Sequence, residues 1–369
     1  MQEEKLKIVH IIPNLRKGGA ERLVQDVCNY IFQNQLAHIK LVTFHKNVDV
    51  KFPFHVNIPS QFDLSITNKS KLSIVELQKF IENFKPDIIH SHLWESEMLL
   101  TNIKYEDCIR FTHLHDNMVQ LKNRLLPNSK SELTNIYEKR LFLKNNYNHF
   151  ISIAKDSFEF ALKSLPKKNR IHLIPNAIDY RNFHFSIKRN YREIRMINIG
   201  SFVKKKNQTL AVHILKALIE EGYSASLTFL GDGELKEKVE KLSTRLGINK
   251  HTEFLGNVEN VQEQLIKSNI YLHTATYEPF GLVLLEAMAS GLPVISLNGK
   301  GNSDLIENGK NGYIVGEENP NLFSQKIIQI FKNDSEREIL IQNGFSTAKK
   351  HDIKDYTENL ISCYFSAIK

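Results

Sequence analysis

Two glutamates are the residues of this sequence best suited to do chemistry. Glu278 and Glu286 stand eight residues apart around a Pro-Phe-Gly turn, and the segment after the turn, Leu282–Ala289, is otherwise apolar. This pattern predicts a short, almost wholly buried helix with the Glu286 carboxylate in its middle. An ionised carboxylate in such a setting is costly unless hydrogen-bond donors meet it, and a polyhydroxylated ligand would supply them. The alternative is a buried glutamate paired with a lysine or arginine elsewhere in the chain.

The elements around the two glutamates place them at the edge of a sheet. Gly291 and Pro293 end the predicted helix, and Val294–Leu297 has the composition of the next strand. The motif therefore joins a strand to a helix in an α/β sheet, and ligands bind at such crossings. A helix that begins near Gly281 also presents unpaired N–H groups, which suit a phosphate.

The Glu-Pro-Phe-Gly motif that begins at Glu278, followed by Glu286, resembles the acidic motif of family 4 retaining glycosyltransferases, which have the GT-B fold. The resemblance implies that Glu278 lies beside the donor sugar as a catalytic residue. It also implies that Glu286 binds the ribose hydroxyls of a nucleoside-diphosphate sugar. The backbone at Phe280, Gly281 and Leu282 would then approach the diphosphate and the sugar.

Two glycine-containing loops extend the resemblance. Gly18 and Gly19 follow the first predicted strand and precede a helix, so the backbone can approach an anion closely and offer it N–H donors. In the family this loop borders the donor phosphates and the acceptor. Gly256 and Val258 follow a later strand, and the resemblance implies that their backbone groups seat the nucleotide base.

The run Lys204–Lys206 follows the first strand of the second half of the chain. Lys206 matches the family's phosphate-binding lysine, and a fixed cation is needed there because departure of the sugar leaves charge on the diphosphate. The family usually has an arginine where this chain has Ser201, so one expected cation is missing from the donor site. Lys204 or Lys205 would replace it; the alternative is that both belong to a solvated loop.

Two His-x-His pairs allow a different interpretation. His90 with His92, and His113 with His115, each point to one face of a strand, where they could hold a metal ion. That arrangement would suit a metal-dependent hydrolase, although no His-Glu-x-x-His helix follows. In the glycosyltransferase interpretation, a histidine at the end of a strand in the first domain lies beside the reaction centre. His115 is the choice for that catalytic role, ahead of His113.

The resemblance implies an enzyme that transfers a sugar to an acceptor hydroxyl with retention at the anomeric carbon. No Asp-x-Asp is present, so a metal clamp is not implied, and no cofactor is expected. Lys206 and the helix start at Gly281 would stabilise the diphosphate, while Glu278 and His115 would flank the short-lived cationic sugar. A sugar-nucleotide epimerase of the same fold and a non-catalytic sugar-binding module are the other hypotheses.

Apolar runs alternate with helical segments along the whole chain, as in βα units with a parallel sheet. We expect an α/β fold of the GT-B type, with two Rossmann-like domains facing each other across a deep cleft. The acceptor-binding domain would be 1–178, completed by a C-terminal helix at 355–369, and the nucleotide-sugar domain would be 196–354 after a linker at 179–195. Strands are predicted at 6–12, 39–44, 87–90, 109–114, 149–153 and 171–174, and then at 194–199, 226–230, 253–255, 270–273, 294–297 and 313–315.

Composition and charge indicate where in the cell the protein works and which partners suit it. The 369 residues are 41% hydrophobic and 24% charged, and no segment has the length and apolarity of a membrane span or signal peptide. Three scattered cysteines do not indicate a disulfide framework, so we expect a cytoplasmic protein. Residues 163–206 hold twelve lysines and arginines against two acids. This basic belt suits a diphosphate, a solvated linker, or peripheral contact with the anionic inner face of a membrane, where lipid-linked acceptors lie. It lacks the pattern of a nucleic-acid site.

Overall fold

A computed structural model describes residues 5–16, 18–45, 52–58, 70–100, 103–116, 148–165, 170–187, 189–299 and 301–368. The chain forms two compact units, one made of residues 1–176 with 353–369 and the other of residues 177–352. Each unit is built around one parallel sheet. Within the described residues, no helix is long and apolar enough to cross a lipid bilayer.

The sheet of the first unit has seven strands. In chain order they are β1 (Lys7–Ile11), β2 (His38–Thr43), β3 (His55–Asn57), β4 (Ile88–His92), β5 (Ile109–Leu114), β6 (His149–Ser152) and β7 (Arg170–Leu173). Their order across the sheet is β3-β2-β1-β4-β5-β6-β7, and every pairing is parallel. The described helices of this unit are α1 (Gly19–Gln33), α2 (Ser70–Phe84), α3 (Leu93–Leu100), α4 (Lys155–Ser164) and the C-terminal helix Ile353–Ile368.

Strand β3 is absent from the sequence-based expectation. It has three residues and pairs only with β2, where Leu41 lies opposite His55. A three-residue edge strand is too short to show a hydrophobic period, so the surrounding sheet determines its structure.

The sheet of the second unit has six strands. They are β8 (Ile194–Ile199), β9 (Ala225–Leu230), β10 (Thr252–Phe254), β11 (Ile270–His273), β12 (Val294–Leu297) and β13 (Tyr313–Val315), in the order β10-β9-β8-β11-β12-β13. The helices are α5 (Gln208–Glu220), α6 (Lys236–Arg245), α7 (Val261–Lys267), α8 (Leu282–Ala289), α9 (Pro320–Lys332) and α10 (Asp334–Lys350), so that Ile353–Ile368 is α11. The predicted α/β fold with two parallel sheets is confirmed.

The strand order of the second unit fixes where a ligand can bind. From β8 the chain adds β9 and β10 on one side, and then β11, β12 and β13 on the other. The loops that follow β8 and β11 therefore diverge to opposite sides of the sheet and leave a crevice at the carboxyl ends of these two neighbouring strands. Such a topological switch point is the usual ligand site of an open α/β sheet.

The residues expected to form a linker are bound into the second unit. The Arg189 guanidinium donates to the carbonyl oxygens of Leu265 at 2.9 Å and Ser268 at 2.6 Å, and also to that of Ser290. Arg181 makes a two-point contact with Asp352, with N–O distances of 2.8 and 2.9 Å. These arginines of the basic belt therefore stabilise the fold.

Candidate active site at a sheet switch point

The switch point of the second unit holds the loop with Lys206 and the loop with Glu278. A short 3-10 helix, Lys204–Lys206, follows β8, and the segment after β11 lies against it. The Thr276 amide donates to the Lys205 carbonyl at 2.9 Å, and the Thr274 hydroxyl donates to the Lys206 carbonyl at 3.0 Å. These bonds hold the Lys206 side chain at the carboxyl end of β11.

Glu278 lies at the centre of a charged cluster in this crevice. The Lys206 Nζ is 2.5 Å from Glu278 Oε2, and His273 Nε2 is 3.3 Å from the same oxygen. Burial acts to raise the pKa of Glu278, but the Lys206 ammonium and His273 outweigh it and lower the pKa to about 2. Burial lowers the pKa of His273. Glu278 is therefore a buried, ionised carboxylate at neutral pH.

The backbone around Glu278 is fixed by a tight contact with the next loop. The Glu278 amide donates to the Gly299 carbonyl at 2.9 Å, and the Gly301 amide donates to the Glu278 carbonyl at 3.0 Å. A Cβ atom on Gly301 would lie 2.2 Å from the Pro279 carbonyl oxygen and 2.3 Å from that of Glu278. Only glycine therefore allows this approach, which sets the position of the Glu278 loop.

Helix α8 begins at the crevice, but Glu286 is less buried than the sequence predicts. Gly281 precedes the helix with a φ of +99°, a left-handed conformation that favours glycine. The helix is buried except at Val283 and Glu286, which lie three residues apart and so share one partly exposed face. Burial, together with the nearby carboxylates of Glu278 and Glu286, raises the pKa of Tyr271 well above the ordinary value. Both carboxylates therefore act on the same residue of β11.

The remaining donor-site candidates of the second unit differ in exposure. Ser201, Lys204 and Lys205 are exposed. The Lys205 ammonium lies 5.8 Å from the centre of the Tyr277 ring. Among the residues that the structure describes, no second cation joins Lys206 beside Glu278, so the arginine expected at position 201 has no replacement in this cluster. Two other candidates are apolar side chains that lie within the fold, Phe280 and Leu282.

The loop that follows β10 contains the candidates for the nucleotide base. The Gly256 carbonyl accepts a hydrogen bond of 2.8 Å from the Gly231 amide, so the loops after β9 and β10 are joined. Val258 lies two residues further and is partly buried.

In the first unit, Gly18 and Gly19 are exposed at the start of α1. Gly18 is the N-cap residue, and its carbonyl accepts from the Arg22 amide at 3.0 Å. A helix therefore begins directly after Gly18, as the sequence predicts. A Cβ on Gly18 would meet the Glu21 carboxylate, so the glycine allows that side chain to fold back over the turn.

The four histidines of the two pairs lie together with His10 on one face of the first sheet. Nitrogen atoms of His10, His90 and His92 lie within 4.8 Å of one another, and the same holds for His92, His113 and His115. The rings contact one another directly: His92 Nε2 is 2.9 Å from His10 Nδ1, and His92 Nδ1 is 2.9 Å from His115 Nε2. His115 follows β5 and is partly buried, whereas the other four are buried.

Two family models match nearly the whole chain between them. "Glycosyl transferases group 1" matches residues 179–347, and "Glycosyltransferase Family 4" matches residues 17–182. The solved structure of Anabaena HepE with UDP and glucose superposes with a TM-score of 0.79 at 16% identity, covering 98% of this chain and 100% of that chain. This chain belongs to the family 4 GT-B glycosyltransferases.

Curated relatives include glycosyltransferases named for capsular polysaccharide and for poly(glycerol-phosphate). The Staphylococcus aureus capsular polysaccharide biosynthesis glycosyltransferase CapH is 22% identical over 98% of this chain and 99% of its own length. The Bacillus subtilis poly(glycerol-phosphate) alpha-glucosyltransferase is 23% identical over 95% of this chain but only 51% of its own length. The chain spans about half the length of several of its curated relatives.

Sequence reasoning missed Tyr271 and His273, which belong to the candidate site around Glu278. Both are buried polar residues on β11, and the Tyr271 hydroxyl lies 3.5 Å from His273 Nδ1. One signal was available in the sequence. Residues two apart on a strand share a face, and His273 ends the strand that leads into the Glu278 motif.

Proposed function

We propose that this protein transfers a sugar from a nucleoside-diphosphate sugar to an acceptor hydroxyl, with retention at the anomeric carbon. The cluster of Lys206, Glu278 and His273 at the switch point carries the proposal. It places a partly buried cation, an ionised carboxylate and a helix start together in one crevice. The cation stabilises the departing diphosphate, and the carboxylate stabilises the cationic sugar. The N–H groups at the helix start donate to phosphate oxygens.

Each candidate residue has a proposed role in donor binding. Lys206 and the backbone of Phe280, Gly281 and Leu282 bind the diphosphate, and Glu286 accepts hydrogen bonds from the ribose hydroxyls. The partly exposed face of α8 supports the role of Glu286, because a ligand must be able to reach its carboxylate. The other proposed donor contacts are made by Gly18, Gly19, Ser201, Gly256 and Val258.

The proposed reaction proceeds on one face of the sugar. The bond from the anomeric carbon to the diphosphate oxygen breaks, and the electron pair stays on the diphosphate beside Lys206. The acceptor oxygen then bonds to the same face of that carbon, and a donor phosphate oxygen takes the acceptor proton. Glu278 carries a full negative charge because its pKa is about 2, and this charge stabilises the cationic sugar. His115 is proposed to lie beside the reacting sugar.

The proposed setting is synthesis of a cell-surface glycan. The named relatives act in capsular polysaccharide biosynthesis and in glucosylation of poly(glycerol-phosphate). The HepE structure contains UDP and glucose. We therefore propose a UDP-sugar donor and a glycan or lipid-linked acceptor. The protein would work in the cytoplasm, at the inner face of the membrane where lipid-linked acceptors lie.

A donor panel tests the proposal. UDP-, GDP- and ADP-sugars are titrated against the full chain by calorimetry and thermal shift, since a ligand at 100 times its Kd stabilises by about 2.7 kcal/mol. We expect the UDP-sugars to bind wild type and Lys205→Met, and to bind Lys206→Met more weakly. Silence across the panel, or equal binding by both variants, would contradict the donor site. Transfer to an acceptor with an unchanged anomeric configuration, read by NMR, separates a retaining transferase from an epimerase.

A further inference from the structure

The five clustered histidines and Tyr364 of α11 form one continuous hydrogen-bonded chain. It starts at His115, whose Nε2 lies 2.9 Å from His92 Nδ1, and continues through His92 Nε2 to His10 Nδ1 at 2.9 Å. His10 Nε2 lies 3.2 Å from the Tyr364 hydroxyl. That hydroxyl lies 2.5 Å from His90 Nδ1, and His90 Nε2 lies 3.2 Å from His113 Nδ1. Each interior group therefore uses both of its bonding positions.

The rings of this chain are neutral. Burial lowers the pKa of His10 and of His115 to about 3. Burial, together with the neighbouring rings, holds the pKa values of His90, His92 and His113 well below the ordinary value. A neutral imidazole has one N–H and one bare nitrogen, and a tyrosine hydroxyl has one proton.

Proton counting then leaves only two arrangements. Every contact in the chain needs one proton, so each interior group must donate in the same direction as its neighbour. In the first arrangement His115 donates from Nε2 and keeps a bare Nδ1. In the second it accepts at Nε2 and carries its proton on Nδ1. One ring cannot change tautomer without all the others, because a mismatch places two protons, or none, in one contact.

The two ends of the chain lie in different surroundings. His113 is buried, whereas His115 follows β5 and is only partly buried. The tautomer of His115 is therefore linked, through five contacts, to buried groups on three strands and on α11.

We propose that this chain sets the tautomer of His115, and that His92 and Tyr364 are positioning residues for it. His115 Nδ1, the ring nitrogen outside the chain, then meets a sugar or acceptor hydroxyl in one fixed role, as donor or as acceptor, a step that rests on the proposed function. Tyr364 is 354 residues from His10 in the sequence, so the C-terminal helix supplies the link that couples the strands.

Histidine nitrogen NMR of the full chain tests the tautomer without any substrate. The His115 signals of 15N-histidine protein are identified by their loss in His115→Gln. We expect wild type to show one dominant tautomer. Tyr364→Phe deletes one oxygen and breaks the chain, so His115 should show both tautomers, and His92→Phe should do the same. His172→Gln is the matched control, because His172 pairs with His149 outside the chain at 3.1 Å.

Steady-state kinetics test whether the tautomer of His115 affects the reaction. If the two tautomers become equally populated in Tyr364→Phe, about half of the molecules are competent, and kcat falls about twofold with an unchanged KM for the donor. Both tautomers in wild type, or an unchanged tautomer in both chain variants, overturns the proposal. So does a stoichiometric metal ion bound at these histidines by elemental analysis. If Tyr364→Phe shows both tautomers of His115 but has an unchanged kcat, the chain sets the tautomer without affecting the reaction. That result overturns the positioning role alone, whether or not donor binding is intact.

Discussion

Replacing Lys206 by methionine should lower the free energy of unfolding of the second unit. It should also reverse the direction in which Glu278 makes that free energy depend on pH. Methionine keeps an apolar chain where the Lys206 methylenes approach Gly200, so the substitution removes mainly the charge. Lowering the pKa of Glu278 from 4.5 to about 2 corresponds to about 3 kcal/mol of stabilisation at neutral pH. Breaking a fully buried pair by removing one partner costs about 3–5 kcal/mol, so a loss of the same order is expected for this partly buried pair.

The sign of the pH effect follows from the direction of the pKa change. In wild type the folded pKa is lowered, so the Glu278 contribution is complete above about pH 4.5 and is lost as the pH falls towards 2. In Lys206→Met the burial of Glu278 is opposed by His273 alone. Its pKa rises, so protonation relieves the unpaired charge. The variant should therefore be least stable, relative to wild type, at neutral pH; the difference should be smaller at pH 4 and should close only towards pH 2.

Hydrogen exchange followed by mass spectrometry is the suitable assay, because a global melting curve would mix the two units. The opening free energy of β8 and β11 is compared for wild type, Lys206→Met and Lys205→Met at pH 7 and pH 4. Exposed Lys205 should change it by less than about 0.5 kcal/mol. Adding Glu278→Gln to Lys206→Met should recover most of the loss. Equal opening free energies for the two lysine variants at pH 7 would refute the argument.

Four further predictions concern activity. Glu286→Gln should weaken nucleoside-diphosphate binding by about 10-fold or more while the fold is retained, since a hydrogen bond to a charged group contributes about 1.5–3 kcal/mol; calorimetry decides it. Lys206→Ala should lower kcat by about 100-fold or more, and Lys204→Ala much less; equal small losses would place the phosphate elsewhere. Transfer should persist in saturating EDTA, whereas full loss restored by zinc or manganese would favour metal chemistry. Gly301→Ala should lower kcat and thermal stability, while Gly316→Ala, with open space around it, should change neither.

Much of the fold was predictable because buried parallel strands are continuous apolar runs. The runs at Ile270–His273 and Val294–Leu297 match their strands residue for residue. His55–Asn57 has no such run and forms only beside β2. The apolar run of α8 also predicts burial, but the face left open at Glu286 depends on which elements pack around the helix, and no local pattern shows this.

The candidate site was predictable as a set of residues but not as a set of contacts. The Glu-Pro-Phe-Gly motif and Lys206 were each identified, yet they are 72 residues apart in the chain, and their ion pair exists only because β8 and β11 are neighbours. The histidine chain shows the same limit. The His-x-His spacing suggested metal ligation; the structure adds His10 and Tyr364 to the cluster and gives each imidazole a hydrogen-bonding partner.

The Lys206–Glu278 pair must serve both folding and the proposed reaction, so activity loss alone cannot assign its role. In the protein without donor, the Lys206 ammonium balances Glu278. An arriving diphosphate would compete for that ammonium, and Glu278 would then face the positive charge that develops on the sugar. The double variant Lys206→Met/Glu278→Gln separates the two roles, because it removes both charges and leaves neither one unpaired. Stability recovered without transfer would assign the pair to the reaction, whereas recovery of both would assign it to the fold alone.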